Sequence, residues 1–381
     1  MKYNLADICE YAKGKVDVAI LDADTYISTE NMMPNKRGIT SATSLPTVAQ
    51  TQAFLAGDIL VSNIRPYFKK IWFAEFNGGC SNDVLVFRAK NGVSKRFLYY
   101  VLANDTFFDY SMSTSKGTKM PRGDKAAIMK YDVPDFTYEK QEKIAGILDA
   151  LDKKIQLNTE INNNLEQQAM AIFNNAIQQS KSVTYVKLGS LADVKGGKRL
   201  PKGANLMSIP NSHPYIRVRD LNDVVFASLS TNYEYVDDET QKAISRYITT
   251  TDDVLISIVG TIGLTAIVDK SLNMANLTEN CVKVTNLHGI SPEYLLLYLR
   301  SQHGSEEIKK GTVGAVQAKL PIKNIQALSV PLLPQSDLQS LNDTLKILFN
   351  QLSINIAESK CLTDIRDLLL PKLMSGKLDV S

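Results

Sequence analysis

Cysteine is scarce in this chain: Cys9, Cys80, Cys281 and Cys361 lie far apart and form no CxxC pair. That spacing argues against a disulfide framework and against a zinc knuckle. Histidine is scarcer still. His213, His288 and His303 are the whole set, each near proline or glycine, and they leave little for histidine-based metal catalysis. No apolar run approaches the roughly eighteen residues that span a bilayer. The first residues, MKYNLADICEYAKGK, carry Asp and Glu where a secretory leader would be apolar. These absences predict a cytoplasmic protein with no membrane contact.

Enzyme signatures are missing too. The Gly-Lys pairs at 14–15, 197–198 and 376–377 lack the spacing and the following Ser or Thr of a phosphate loop. No GxGxxG follows a strand pattern, and there is no Asn/Asp-Pro-Pro-aromatic string of the kind amino-methyltransferases use to hold a target base. A nuclease-like pattern can be forced from Pro134, Asp135, Asp152 and Lys154. Its second half falls in a helical heptad pattern, where Asp152 and Lys154 would be ordinary solvated charges. The residues therefore predict a binding or scaffolding protein rather than a catalyst.

What is present is repetition. With 381 residues, 44% of them hydrophobic and 22% charged, the chain suits two or three globular domains. Leu5, Ile8, Gly14 and Lys15 line up with Leu188, Leu191, Gly197 and Lys198, within Lys2–Lys15 and Tyr185–Lys198. Gly57–Ser62 matches Asp252–Ser257, Lys116-Gly-Thr118 matches Lys310-Gly-Thr312, and Val133-Pro134 matches Val330-Pro331. The matches keep their order, and a long helical pattern follows each Val-Pro. The alternative is chance likeness between two α/β segments, which the shared order and the shared closing helix disfavour.

In the first helical pattern, apolar or small residues recur at Ile144, Leu148, Leu151, Ile155, Asn158, Asn162, Leu165, Ala169, Ile172 and Ala176. The second reads Leu341, Leu345, Leu348, Leu352, Asn355, Ser359, Leu362, Arg366 and Leu369. Alternating steps of three and four make a coiled-coil seam. Asn158 and Asn355 take the same heptad position, where a buried amide fixes register at some cost in stability. Each helix can run about forty residues, roughly 50–60 Å. Two amphipathic helices packed on their own domains would also show such faces, but the matched asparagines favour packing of one helix on the other.

The segments before the helices mix short β-rich runs (Asp58–Val61, Asp83–Phe87, Val254–Val259, Thr265–Val268, Cys281–Val284) with short helices at Lys95–Ala103 and Pro292–Ser301. Residues 1–136 carry a net charge of +3 and residues 184–334 of +2, whereas each helical stretch comes to −1. The basic excess sits on the globular parts, as a polyanion partner would require.

Candidate contacts follow from basic turns. Lys195–Lys202 places Lys198, Arg199 and Lys202 around Gly196 and Gly197, which would let backbone approach a phosphate. Tyr215–Arg219 alternates like a strand, which would put Arg217 and Arg219 on one face, suited to guanine edges. In the first copy, Arg65, Lys69 and Lys70 interleave with aromatics, and Lys116, Lys119 and Arg122 share a turn with a glycine. The stretch Lys309–Lys319 ends on Gln317 and Lys319, and Lys15 matches Lys198. Solvated surface loops would carry many of the same cations.

Taken in order, Lys187-Leu-Gly…Gly-Gly-Lys-Arg-Leu-Pro201, Pro214–Leu221, Asp253–Gly263, Val330–Pro334 and Gln141–Asp149 resemble the specificity subunits of type I restriction-modification systems. The resemblance covers essentially the whole chain. It departs most in the first copy, where Asn63-Ile-Arg-Pro replaces the Val-Gly-Thr-Ile-Gly turn and Lys116–Met120 reads as shorter than Lys310–Ala318. It implies an α+β fold with a pseudo-twofold repeat. Target-recognition domains would occupy 1–136 and 184–334, with long helices at 137–183 and 335–381 forming an antiparallel coiled coil. Each domain would read one half of a bipartite site in double-stranded DNA. The helices would set the spacer and dock modification subunits, and a restriction subunit would join them. S-adenosylmethionine, ATP and Mg would bind those partners and not this chain. The competing reading is a coiled-coil scaffold that never touches DNA.

Overall fold

The computed structural model describes residues 3–230, 233–314 and 317–380. Lys2, at the start of the repeat, and Ala315 and Val316, within Lys309–Lys319, fall outside them. The chain forms two compact units, one of residues 1–157 and 358–381, the other of residues 158–357. Each unit therefore contains one globular segment and part of both long helices.

In the first unit the opening strand, Tyr3–Asn4, pairs antiparallel with Asp132–Val133, directly before the first long helix. Between them lies an antiparallel sheet in the order Cys9–Tyr11, Val84–Ala89, Ile59–Ser62, Ile71–Phe73. A second sheet runs Lys15–Asp17, Gln50–Phe54, Gly78–Cys80, Tyr26–Ile27, its last pair parallel. Ser94 caps the helix Lys95–Ala103 by accepting from the Phe97 amide. That helix buries Phe97, Leu98, Val101 and Leu102 against Ile59, Val61 and Phe87.

The second unit repeats the plan. Thr184–Lys187 pairs antiparallel with Ser329–Leu332, again directly before a long helix. The main sheet runs Asp193–Gly196, Cys281–Thr285, Val254–Ser257, Thr265–Val268, Phe226–Ala227. Ser291 caps Pro292–Arg300 through the Tyr294 amide. The five expected β-rich runs and both short helices thus form where the alternation and capping residues put them, with ends shifted by at most two residues. All four cysteines are free thiols. Burial raises the thiols of Cys9, Cys80 and Cys281 to about 12, so they stay protonated core groups.

Each sheet buries a carboxylate. Asp58 is held by Arg88 at 2.7 Å and Asp253 by Lys283 at 3.1 Å. The acids occupy matched positions, and each also accepts an amide hydrogen bond, from Leu55 and Thr250. A buried charge persists only when paired and hydrogen-bonded, and both units meet that demand from the neighbouring strand.

The long helices span Tyr138–Gln179 and Gln335–Met374, the second running through Pro371. Every residue of the expected seam is buried or half-buried except Ile172, whose place is taken by Phe173. The 3.6-residue turn drifts against a strict 3.5 repeat, which moves the buried stripe by one position over several turns. In the first unit Asp152 pairs with Arg366 at 2.7 Å and Lys154 with Glu358 at 3.1 Å, so the helices run antiparallel there. Tyr100 also donates to Asp152, at 2.8 Å. In the second unit Asn158 donates to the Asn355 carbonyl at 3.5 Å. Asn355 donates to Asn162 Oδ1 at 2.9 Å and accepts from Gln351 at 2.8 Å. The helices pack on the domains as well as on each other. Ile144 and Leu148, with Leu370 and Leu373, join the core of the first unit; Ala169 and Phe173, with Leu341 and Leu345, join that of the second.

Asn355→Ala should remove two side-chain hydrogen bonds from a buried amide layer and cost about 1–3 kcal/mol. Urea denaturation of the purified chain would measure this; an unchanged midpoint would show that the layer does not hold the helices.

Candidate nucleic-acid interface

Equivalent backbone hydrogen bonds put the turns of the two units in register. Val84 and Cys281 donate to Ser81 and Thr278, and Asn63 and Ile258 donate to Asp83 and Asn280. Lys116 pairs with Arg122 in a narrow ladder, and Val313 pairs with Lys319 in its counterpart. Ile64 extends the first ladder to Arg122, and Val259 extends the second to Lys319.

This corrects the sequence alignment. The counterpart of Lys116-Gly117 is Val313-Gly314, not Lys310-Gly311, and the bridged residues are equally far apart in sequence, 116 and 122 against 313 and 319. Gly117 and Gly314 are the matching turn residues, with φ of +91° and +100°. Lys310 and Gly311 instead close the helix Gln302–Gly311. The shared Lys-Gly-Thr string misled because it ignores backbone conformation. The positive φ at Gly117 and Gly314 is the physical marker. By the same register Arg122 corresponds to Lys319, and Lys15 to Lys198. Arg65, with φ +52°, holds the left-handed conformation that Gly260 supplies in the second unit at +80°.

In the second unit Arg199, Val259, Glu279, Asn280, Gln317 and Lys319 line one pocket. Arg199 bonds Glu279 at 3.1 Å. Lys198 projects over the Tyr247 ring at 5.5 Å, and Tyr215 donates to its carbonyl at 3.0 Å. Lys202 is exposed on the same loop. Gly197 is needed for a different reason than phosphate approach. A Cβ there would stand 2.0 Å from the Thr278 carbonyl oxygen, so the glycine packs the loop onto its own protein.

Arg217 and Arg219 do not lie on a strand. The strand is only Tyr215–Ile216, and Val218–Leu221 is a 3-10 turn. The Asp220 carboxylate accepts from the Arg217 amide at 2.8 Å and bends the chain out of the alternation. Burial raises the Asp220 carboxyl above its usual range. Both guanidiniums still converge, because both bond Glu234, Arg219 at 3.2 Å.

In the first unit Arg122 bonds Asp83 at 3.1 Å and Lys116 bonds Asp124 at 2.7 Å. The Lys116 ammonium and the Ala126 and Ala127 amides hold the Asp124 carboxyl down to about 2. Arg65 donates its amide to the Pro121 carbonyl, which joins its turn to the hairpin. Lys15 and Lys119 are exposed. Lys69 and Lys70 are occupied elsewhere: Lys69 bonds Asp105 at 2.9 Å, and Lys70 donates to the Thr29 carbonyl at 2.5 Å. A polar cleft beside Asp83, lined by Ser28, Glu30, Asn31 and Thr40–Pro46, was not read from the sequence. Its Ser/Thr-rich loop carries no charge pattern to mark it.

The same frame thus occurs twice, with different side chains on the same turns and hairpin. Residues 1–167 and 180–361 each match the model of the type I restriction modification DNA specificity domain. The chain belongs to this family. It is a specificity subunit of a type I restriction-modification system, the DNA-recognition subunit and not a catalytic one. It is 23% identical over 463 aligned positions to the type I restriction enzyme HindI specificity subunit of Haemophilus influenzae, covering 99% of each chain. It is also 23% identical to the MjaIX specificity subunit of Methanocaldococcus jannaschii, over 76% of this chain and 71% of that one. In fold, this specificity subunit resembles the crystal structure of the type I S subunit from M. genitalium, with a TM-score of 0.60 and 17% identity. That match covers 100% of this chain and 96% of the other.

Gly197→Ala should destabilise the second unit of this specificity subunit by about 3 kcal/mol or more, because backbone atoms must move. Gly203→Ala, with φ +90° and nothing within 4 Å, should cost only about 1 kcal/mol. Denaturant melts of the two variants test the contrast; equal losses would contradict the packing role of Gly197.

Proposed function

We propose that each globular segment, 1–136 and 184–334, binds one half of a bipartite site in double-stranded DNA. The long helices, 137–183 and 335–381, set the spacer and dock the modification subunits. The observation that carries this is the repeated frame with unlike side chains on matched turns: two readers of one build and different sequence. A restriction subunit completes the cytoplasmic complex. S-adenosylmethionine, ATP and Mg belong to those partners, which supply methyl transfer and DNA cleavage.

The contacts divide by kind. Lys15, Lys119, Lys198, Lys202 and Lys319 are exposed cations suited to phosphates. Arg217 and Arg219, fixed by Glu234, are suited to base edges. Lys69, Lys70 and Lys116 already have partners within the fold, which lowers what they add to DNA affinity.

Duplex binding should weaken with salt, and Lys202→Ala should lower the slope of log affinity against log salt by about 0.9 for all sequences alike. Arg217→Ala with Arg219→Ala should instead cost ~1–3 kcal/mol and relax one half-site only. Fluorescence titrations at several salt concentrations, on duplexes varied in one half-site, separate the two outcomes. Absence of salt-dependent duplex binding by the chain would favour the scaffold reading.

A further inference from the structure

The turn that leads into an inner strand of each main sheet, Val84–Ala89 or Cys281–Thr285, carries an acid. It is Asp83 in Ser81–Asp83, and Glu279 in Thr278–Asn280. These are equivalent turns, since the Ser81 and Thr278 carbonyls accept the same amide bond, from Val84 and Cys281, and their hydroxyl oxygens accept the amides of Asp83 and Asn280. Each acid meets an exposed guanidinium, but from a different element. Arg122 reaches Asp83 from the hairpin, at 3.1 and 3.2 Å to its two oxygens. Arg199 reaches Glu279 Oε1 from the Gly-Lys loop at 3.1 Å, and the Thr278 hydroxyl donates to Oε2 at 3.2 Å.

These pairs do little for the fold. Arg199 is 84% exposed and Glu279 35%; Arg122 is 56% exposed and Asp83 36%. Ion pairs so open to water contribute almost nothing to stability. On a surface that meets phosphates, a carboxylate also repels the ligand. The arrangement has a use if the acid meets a hydrogen-bond donor on the DNA. In the major groove cytosine offers its N4 amino group, and the guanine paired with it offers O6 and N7 to a guanidinium. An arginine fixed beside a carboxylate presents the complementary donors and acceptor to a single G·C pair.

We propose that Arg199 and Glu279 together read one G·C pair in the half-site of the second unit, and that Arg122 and Asp83 do the same in the first. This rests on the DNA-reading function proposed above and names its specificity-determining residues. Each arginine donates to guanine while its carboxylate accepts from cytosine. In each pair the guanidinium and the carboxylate already stand within hydrogen-bonding distance, so one base pair can meet both.

The test uses the chain assembled with its modification subunits, its recognition motif first mapped by methylation sequencing. Affinities are then measured for duplexes changed at one base pair each. Glu279→Gln should reduce discrimination at a single G·C position of one half-site by about ten- to a hundredfold. Asp83→Asn should do so in the other half-site, each variant leaving the opposite half unchanged. Thermal melts check folding, and Arg199→Lys, which keeps the charge but loses the fork, gives a second variant with the same expected position. Unchanged discrimination at every position, or a uniform loss of affinity in a variant that melts normally, would overturn the base-reading assignment while leaving DNA recognition intact. A wild-type complex with no bipartite preference would overturn both.

Discussion

The antiparallel pairing of the strand that opens each globular segment with the strand that closes it organises everything else. Tyr3–Asn4 lies against Asp132–Val133, and Thr184–Lys187 against Ser329–Leu332. The chain enters and leaves each segment side by side, then runs straight into a forty-residue helix. What lies between those strands can change in length and side chain without moving the helix that follows. That separation of frame from surface suits a protein that presents different readers on one support.

The buried parts of the two units follow one set of solutions. Leu5 and Leu188 are fully buried at matched positions, as are the acids Asp58 and Asp253. The cations that neutralise those acids differ: Arg88 sits two residues beyond the site on the same strand that Lys283 occupies in the second unit. Side chains on one face of a strand alternate by two, so either position reaches the acid. On the surface the units diverge. Arg122 on one hairpin is Lys319 on the other, and Arg65 in a strained turn is Gly260. Interior electrostatics tolerate few alternatives, whereas exposed turns tolerate many.

This difference decides what could be read from the sequence. The repeat, the seam with Asn158 and Asn355, and the short helices were legible because periodicity and caps are local signals. The hairpin match was not, since Lys310-Gly-Thr imitates Lys116-Gly-Thr in letters while Gly314 supplies the turn. The strand expected over Tyr215–Arg219 failed because Asp220 captures the Arg217 amide, a local bond that competes with extended pairing. Basic residues are visible in the sequence, but their partners within the fold are not. Glu234, Asp105 and Asp83 reach Arg217, Lys69 and Arg122 from 17 to 39 residues away. A search for basic loops also passes over Glu279, whose meaning depends on the arginine beside it.

The central claim is that two copies of one frame read two separate half-sites. Methylation-aware sequencing of the genome that encodes this chain tests it most directly. The account predicts one asymmetric methylated motif, with two specified blocks divided by an unspecified spacer of fixed length. A continuous motif, or a palindrome read by two identical halves, would contradict it.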